Sequence, residues 1–187
     1  MKSSIEVKQI DIVELEADVI VNAANSSLAS GSGVCGAIFR AAGFKKLEDA
    51  CRKIGGCPTG SAVITPGFDL KADYIIHAVG PVWYGGSDSE AELLYSAYEN
   101  SLKLAKDNGC RSIGFPVISS GIYGYPKNEA WQIAIKACRD FIKDNPDYPI
   151  SITFAVRSDE SRLLGEKTIR EILSLKFENT STSASRG

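Results

Sequence analysis

The apolar residues of this chain recur at two spacings, and the spacing changes from one segment to the next. Alternating positions and short apolar runs predict six strands, at 5–10, 18–23, 61–65, 74–79, 112–118 and 150–156. Apolar residues three and four apart predict four helices, at 34–54, 90–107, 127–144 and 158–175. Because strands and helices alternate along the chain, we expect a three-layer α/β domain.

Length and C-terminal composition set the expected domain organisation. A chain of 187 residues has the size of one ordinary domain with its own core, and we place that domain at 1–176. Residues 178–187 are small and polar, a composition that buries too little apolar surface to fold. We therefore expect a disordered tail over 177–187, and a monomer.

Charge and hydropathy argue against two classes of partner. The chain has 21 basic and 23 acidic residues, a net charge of −2, and no long basic run, so we expect no broad nucleic-acid surface. No apolar run approaches the length of about 18 residues that crosses a bilayer. The N-terminus leads into a strand pattern rather than a secretory signal. We expect a cytoplasmic or a nuclear protein with no membrane partner.

Cysteine and histidine residues are too scattered to indicate a metal site. The five cysteines are odd in number and form no Cys-x-x-Cys pair, which argues against a disulfide framework and a zinc ribbon. The single histidine, His77, lies in the apolar run 74–79, where a packed and hydrogen-bonded core residue is the commoner finding. We expect no metal and no cofactor.

A loop of Ser and Gly residues joins the second predicted strand to the first predicted helix. Asn22 and Asn25 supply side-chain amides at the carboxyl end of the strand. Gly31, Gly33 and Gly36 let the backbone approach a ligand where a Cβ atom would collide. The helix start adds free N–H groups and a partial positive charge, which suit a phosphate. The pattern predicts a binding site for a nucleotide diphosphate.

The same glycines match the Gly-x-Gly-x-x-Gly fingerprint of dinucleotide-binding folds, but their context differs. In that fingerprint the first glycine follows the strand directly, and an acidic residue comes about 20 residues later at the end of the next strand. Here residues 24–30 separate the strand from Gly31, and Glu48 and Asp49 lie in a helical pattern. A dinucleotide-dependent oxidoreductase is disfavoured, while a purely structural Ser/Gly loop stays open.

A second Gly-rich turn, Ser119–Gly124, joins the fifth predicted strand to the helix at 127–144. In α/β sheets ligands bind at the rim formed by the carboxyl ends of the strands. Two such loops on one rim suit a pyrophosphate held from both sides. Asp11 closes the first strand on the same rim, where an Asx turn or a helix cap is the ordinary role of such a residue.

These motifs, taken in order, resemble a known signature. Asn22–Leu28, Asn-Ala-Ala-Asn-Ser-Ser-Leu, a Gly-rich loop, and then Gly36–Gly43, Gly-Ala-Ile-Phe-Arg-Ala-Ala-Gly, are similar to the motifs of the macrodomain family, which binds ADP-ribose. The likeness is greatest to the branch of bacterial O-acetyl-ADP-ribose deacetylases and MacroD-type hydrolases. It extends from Val7 to Leu173 and implies a three-layer α/β/α fold with a mixed sheet of six or seven strands.

The resemblance implies a role for the polar residues of the rim. Asp11 would accept a hydrogen bond from the adenine 6-amino group, with Ile12 beside it. Phe154 or Arg157, at the end of the last strand, would flank the adenine, although a surface arginine is the commoner case. Asn25 would bond the hydroxyls of the distal ribose.

The remaining ligand-binding positions lie in and beside the two loops. Tyr123 would cover the diphosphate or the distal ribose, or would only pack in its turn. Asn22 would contact the ligand or brace the loop backbone. The positions that would approach the phosphates directly are Gly31, Gly33, Val34, Gly36, Ser119, Ser120, Gly121, Ile122 and Gly124.

Cys35 departs from the family pattern. In the hydrolytic branch the matching position holds an Asp proposed to orient or activate water, and the His often found four residues later is Phe39 here. A carboxylate is ionised at pH 7 and accepts hydrogen bonds, whereas a neutral thiol accepts them poorly. A helix start can lower the pKa of a thiol, so a thiolate at Cys35 is one interpretation and a small buried residue is the other.

Two functions follow from the resemblance. The chain is either an ADP-ribosyl ester hydrolase or a module that binds ADP-ribose without chemistry. The substrate of a hydrolase would be O-acetyl-ADP-ribose or ADP-ribosylated protein, with Asn25 and Cys35 as candidate catalytic residues. We favour the hydrolase, because a chain without a second domain has little to recruit. Its water would be held by the phosphate of the ligand and the loop backbone.

Overall fold

Six strands form one mixed sheet in a computed structural model that describes residues 1–181, with side chains described to 174. The strands are β1 (Ser4–Gln9), β2 (Val19–Ala23), β3 (Ala62–Pro66), β4 (Tyr74–Ala78), β5 (Ser112–Phe115) and β6 (Ser151–Val156). Their order across the sheet is β1-β6-β5-β2-β4-β3. Only the β3–β4 pair is antiparallel among these strands, so five carboxyl ends share one rim. The expected mixed sheet is confirmed, with six strands.

Five helices cover the two faces of this sheet within the described residues. They are α1 (Gly33–Ala42), α2 (Phe44–Ile54), α3 (Glu90–Asp107), α4 (Lys127–Asp144) and α5 (Asp159–Ser181). Buried side chains of α3, α4 and α5 form one apolar cluster, and those of α1 and α2 form another. In β2, Val19 and Val21 join the first cluster while Ile20 joins the second, since successive strand residues point to opposite faces. The three-layer architecture is confirmed.

The helix predicted over 34–54 is two helices, and this prediction was wrong at Gly43. Gly43 has a φ of +98°, outside the range that continues a right-handed helix. A Cβ atom at this position would lie 3.0 Å from Oδ2 of Asp69. The apolar spacing continues across the break, because both helices pack on the same face of the sheet.

The fifth strand ends at Phe115 rather than at 118, because Pro116 has no N–H to donate to a neighbouring strand. Beyond this point the backbone forms hydrogen bonds with the buried hydroxyl of Tyr98, on α3, instead of with a neighbouring strand. It donates to the carbonyl of Pro116 at 3.3 Å and accepts from the amide of Ile118 at 2.9 Å. The backbone beyond β5 is therefore held by a helix of the layer behind it, and from there it enters the second Gly-rich turn.

The C-terminal helix begins as the sequence indicates and reaches the end of the described residues. The hydroxyl of Ser158 accepts from the amide of Ser161 at 3.1 Å, which caps the first turn of α5. The last part of the expected tail, 182–187, lies outside the described residues. Across the described range, no helix has both the length and the apolar character needed to cross a bilayer.

Candidate functional site

A cleft of about 640 Å³ lies at the shared rim, above the carboxyl ends of β2, β5 and β6. One wall is the loop between β2 and α1, and the facing wall is the turn between β5 and α4. Arg157 and the start of α5 close one end, next to β6. Asn25 and Cys35 lie on the β2 side. Both Gly-rich segments therefore face one cavity, and its volume lies in the range typical of small-molecule sites.

The amide of Asn25 shapes the first wall by bonding to its own loop. Its Oδ1 accepts from the amide of Ala29 at 3.0 Å and from the hydroxyl of Ser27 at 2.8 Å. Its Nδ2 donates to the carbonyl of Ala29 at 3.0 Å, which leaves one N–H of the amide for a ligand. Asn25 thus lines the cleft and braces the loop at the same time.

The start of α1 requires glycine at two positions for different reasons. Gly33 has a φ of +59°, a backbone conformation that L side chains rarely adopt. At Gly36 a Cβ atom would lie 2.5 Å from the carbonyl oxygen of Gly31. Ser32, at the N-cap, makes no side-chain capping bond, so the first N–H groups of α1 are left for an anion.

The second wall is a tight turn held by backbone hydrogen bonds. The amide of Gly124 donates to the carbonyl of Gly121 at 3.0 Å, and the carbonyl of Tyr123 accepts from the amide of Trp83 at 2.8 Å. The side chain of Ile122 is 84% exposed at the rim of the cleft. Gly121 has open space where a Cβ atom would lie, so a ligand can approach its backbone closely.

Ser119 is the irregular residue of this turn. It adopts a φ of +66°, and its carbonyl accepts from the amide of Tyr125 at 2.9 Å. Its hydroxyl is buried and has no hydrogen-bond partner among the described residues, although the residue lines the cleft. The hydroxyl of the next residue, Ser120, is by contrast bonded to the carbonyl of Val117 at 2.7 Å.

A chain of buried hydrogen bonds runs from β3 to the thiol of Cys35. The hydroxyl of Thr65 donates to the carbonyl of Pro66 at 3.2 Å and lies 3.0 Å from Nε2 of His77. Because that hydroxyl proton is used, Nε2–H of His77 donates to it, and Nδ1 is left as an acceptor. Nδ2 of Asn22 donates to this Nδ1 at 3.1 Å and to Sγ of Cys35 at 3.7 Å.

Burial keeps both titratable members of this chain neutral. It raises the pKa of the Cys35 thiol, and the hydrogen bonds from Asn22 and Gly31 offset that increase only in part. Burial lowers the pKa of His77 to about 4. At pH 7 the site therefore offers a thiol and an uncharged imidazole, and a thiolate at Cys35 is disfavoured.

Asp11 and Arg157 meet beside the end of the cleft that lies next to β6. Oδ1 of Asp11 accepts from the amide of Val13 at 3.2 Å and caps the short 3₁₀ turn Ile12–Glu14. Oδ2 of Asp11 accepts from Nη1 of Arg157 at 2.9 Å. Asp11 thus has the ordinary capping role that its position indicates, and its carboxylate keeps lone pairs for a further donor.

The structure brings most of the predicted site residues to the cleft. Those that line it are Asn25, Gly31, Gly33, Val34, Cys35, Ser119, Ser120, Gly121, Ile122, Tyr123 and Arg157. Those that lie beside or behind the lining are Asp11, Ile12, Asn22, Gly36, Gly124 and Phe154. Of these, Phe154 packs in the core against Phe115 and Trp131 and does not reach the position proposed for an adenine.

Several lining residues were not expected from the sequence. Lys127, the first residue of α4, lines the cleft directly after the second Gly-rich turn, and its adjacency to that turn was an available signal. Ser161 also lines the cleft, from the first turn of α5. The sequence holds no signal for Ser161, because only the packing of α5 brings it to the rim.

Comparison with known proteins agrees with this geometry. The family model described as Macro domain matches residues 21–134. The chain belongs to the macro domain family. A relative in Escherichia fergusonii, named O-acetyl-ADP-ribose deacetylase, is 51% identical over 175 residues, which are 91% of this chain and 98% of the relative. A macro domain-containing protein of Chlorobaculum tepidum is 60% identical over 72% of this chain and 77% of its own.

Two solved macro domains are similar in structure as well as in sequence. The Oceanobacillus iheyensis macrodomain with ADP superposes with a TM-score of 0.87 at 37% identity, covering 92% of this chain and 93% of that one. The Trypanosoma brucei macrodomain in complex with ADP-ribose gives a TM-score of 0.82 at 37% identity, covering 88% and 68%. The resemblance to the macrodomain family inferred from the motifs is confirmed.

Proposed function

We propose that this macro domain binds ADP-ribose in the cleft and hydrolyses esters of it, with O-acetyl-ADP-ribose as the substrate. The observation that carries the proposal is that the two Gly-rich walls face each other across one cavity of about 640 Å³. The diphosphate would lie between them, bonded by the free N–H groups of α1 on one side and by the backbone of the turn at Gly121 on the other. Relatives named O-acetyl-ADP-ribose deacetylase support the choice of substrate.

The order of the strands supports one orientation of the ligand in the cleft. Arg157 and Asp11 follow β6 and β1 at one end, and their meeting there supports the proposal that the adenine lies at this end with its amino group toward Asp11. Asn25 and Cys35 follow β2, on the other side of β5, which supports placing the distal ribose and its ester against them. An ADP-ribosylated protein, the second substrate class we propose, would carry its peptide beyond this β2 side.

The charges of the cleft favour a doubly anionic ligand. Lys127 and Arg157 are its basic lining residues, and none of the lining residues in the described part of the chain is acidic. Arg157 is paired with Asp11, while Lys127 forms no ion pair with a described residue. A positive balance in a concave site attracts the diphosphate and raises its rate of association.

Hydrolysis in this cleft relies on ordered water rather than on a base from the protein. The thiol of Cys35 is neutral at pH 7 and a weak acceptor, so it takes no proton from water efficiently. The diphosphate of the ligand and the carbonyls of the first wall are the acceptors that would hold this water. The expected rate is lower than with a carboxylate at this position, because a positioned base contributes about 10²–10⁴-fold.

A reader module that only binds ADP-ribose is the second candidate function. The neutral thiol at Cys35 favours it, since the cleft then holds a complete diphosphate site without an ionised catalytic group. The two functions share the ligand and differ only in turnover. They are therefore separated by an assay of the same protein for both properties.

The test combines calorimetric titration of ADP-ribose with a turnover assay on O-acetyl-ADP-ribose followed by mass spectrometry. Binding together with acetate release supports the hydrolase. Binding without release supports the reader. Absence of binding at millimolar ligand would overturn both. Ser101→Ala is the control variant for both assays, because Ser101 is buried in α3 and its hydroxyl donates to the carbonyl of Ala97 in the same helix.

A further inference from the structure

Lys127 is a cation of the cleft lining that forms no ion pair with a described residue. It is the first residue of α4, and its side chain is exposed. The residues three and four positions later, Ala130 and Trp131, are apolar and buried, so no acidic side chain pairs with Lys127 along the helix. A cation at the N-terminal end of a helix also opposes the helix dipole. Lys127 therefore does not stabilise α4, and an anion bound in the cleft is the partner that its position suits.

The packing of α4 against α5 places Lys127 beside Ser161. Both helices begin at the rim, after β5 and β6, and run back along the sheet. They meet at Trp131 and Gly165, where a Cβ atom on Gly165 would lie 2.5 Å from the ring of Trp131. Lys127 and Ser161 each come four residues earlier, so they lie one helical turn nearer the rim on the same two facing sides. Both residues line the cleft, in agreement with this placement.

Two further side chains, those of Ser161 and Arg157, offer hydrogen-bond donors on this side of the cleft. The hydroxyl of Ser161 is half-buried and forms no hydrogen bond with a described residue. Arg157 donates to Asp11 through Nη1 and keeps other N–H groups for an anion. The acid that begins α5, Asp159, bonds to Arg162 at 3.2 Å and is not part of the lining. This side of the cleft therefore combines free donors with positive charge.

In the orientation proposed above, the adenosine ribose lies next to these donors. It joins the adenine, beside Asp11 and Arg157, to the diphosphate between the two Gly-rich walls, so it lies over the ends of β6 and β5. The diphosphate already has donors in the N–H groups of α1 and the backbone at Gly121. The hydroxyls of the ribose carry no charge. In dinucleotide-binding folds, an arginine near this ribose accommodates a 2′-phosphate.

We propose that Lys127, Arg157 and Ser161 form a subsite for a phosphate group on the adenosine ribose, so that the cleft prefers ADP-ribose 2′-phosphate to ADP-ribose. The inference rests on the proposed function, because it uses the same cleft and the same orientation of the ligand. The phosphate accepts from the ammonium of Lys127, the guanidinium of Arg157 and the hydroxyl of Ser161. Hydrogen bonds between charged groups are about twice as strong as neutral ones, and the fork of an arginine matches a phosphate.

The test is calorimetric titration of the protein with ADP-ribose and with ADP-ribose 2′-phosphate in the same buffer. The Kd of the wild type should be about threefold to tenfold lower for the phosphorylated ligand, a moderate gain because the two cations are exposed. Lys127→Gln should bring the two Kd values within about twofold of each other. Lys127→Glu should make the phosphorylated ligand the weaker one, because like charges then face each other.

Lys136→Gln is the matched control. It removes the same charge from the same helix, at an exposed residue that does not line the cleft, and it should keep the ratio of the wild type. A wild type that binds ADP-ribose without preferring the phosphorylated ligand would overturn the subsite and leave the proposed function standing. A preference that persists in Lys127→Gln, or that is lost equally in Lys136→Gln, would also overturn it. Failure of the wild type to bind either ligand would overturn the subsite together with the proposed function.

Discussion

The guanidinium of Arg157 donates to the carboxylate of Asp11 at 2.9 Å across 146 positions of sequence. The contact follows from the parallel register of β1 and β6, in which Gln9 pairs with Val156, so both residues leave the sheet at the same level. The side chain of Arg157 is 71% exposed, and an ion pair of this kind contributes about 0–1 kcal/mol to stability. Its effect is on geometry, because it holds the carboxylate at the end of the cleft.

Asp11 is expected to give the cleft a preference for adenine. Its carboxylate accepts from the 6-amino group of adenine and faces a carbonyl in guanine, and two opposed acceptors in a closed site cost about 1–3 kcal/mol. Calorimetry should show tighter binding of ADP-ribose than of its guanine analogue. Asp11→Ala should remove most of the difference. Equal affinities of the wild type for both ligands would contradict the placement of the adenine.

Replacing Cys35 by Asp is expected to raise the hydrolysis rate. The carboxylate would be an ionised acceptor next to the donating amide of Asn22, and a well-placed base contributes about 10²–10⁴-fold. The carbonyl of Ala29, now 3.8 Å from Sγ, opposes it and limits the gain. Acetate release from O-acetyl-ADP-ribose measures the effect.

Cys35→Ala tests whether the sulfur of Cys35 takes part in the reaction. A small decrease in rate is expected, because the neutral thiol contributes little. Loss of a substantial wild-type rate would instead show that the thiolate is catalytic. If neither the wild type nor Cys35→Asp cleaves the ester while both bind ADP-ribose, the protein is a reader.

Valine at Gly121 should weaken ADP-ribose binding without affecting the fold. The position has an ordinary φ and open space where a Cβ atom would lie, so the side chain enters the cleft and not the core. Thermal melting should therefore match the wild type while the calorimetric Kd rises. Gly36→Val is the contrasting variant and should lower the Tm as well, because a Cβ atom there lies 2.5 Å from the carbonyl oxygen of Gly31. Normal binding by Gly121→Val would show that the turn between β5 and α4 does not contribute to ligand binding.

His77 should make the free energy of unfolding depend on pH between about 4 and 6.5. Burial lowers its pKa to about 4, so in this window the unfolded chain binds a proton that the folded one excludes. Stability is complete above about pH 6.5 and falls as the pH decreases toward 4, by on the order of 3 kcal/mol. Urea titrations of the wild type and His77→Gln measure this, and the chain has no other histidine. A wild type and a variant with the same pH slope would contradict the neutral imidazole.

The sequence predicted the layers, the strands and the two facing loops, because apolar spacing and glycine clusters are local signals. It gave the ribose contact to Asn25 and left Asn22 as a ligand contact or a brace of the loop backbone, whereas in the structure the amide that braces the loop is that of Asn25. Asn22 lies in β2 opposite His77, and this pairing buries its amide. Asn25 lies beyond the strand and bonds back to Ala29. Only the register of the sheet decides between these positions.

Phe154 and Gly43 are two further positions at which the local sequence pattern did not predict the structure. Phe154 lies next to the end of β6, but the alternation of the strand turns it toward the helices α3 and α4, where it packs with Tyr98. Gly43 interrupts an apolar spacing that continues on both sides of it. A local pattern reports which face an element buries, whereas it does not report where a strand side chain points or where a helix breaks.

The hydroxyl of Tyr98 bonds one part of the second wall of the cleft to α3 and leaves the other part without such a bond. It bonds the carbonyl of Pro116 and the amide of Ile118 to α3, which holds this part of the wall against the helix. Beyond Ser119 the turn is held mainly by bonds to itself, and Ile122 stands in solvent. We therefore expect the bonded floor to set the depth at which a diphosphate lies, and the exposed rim to adapt to the group that the ribose carries.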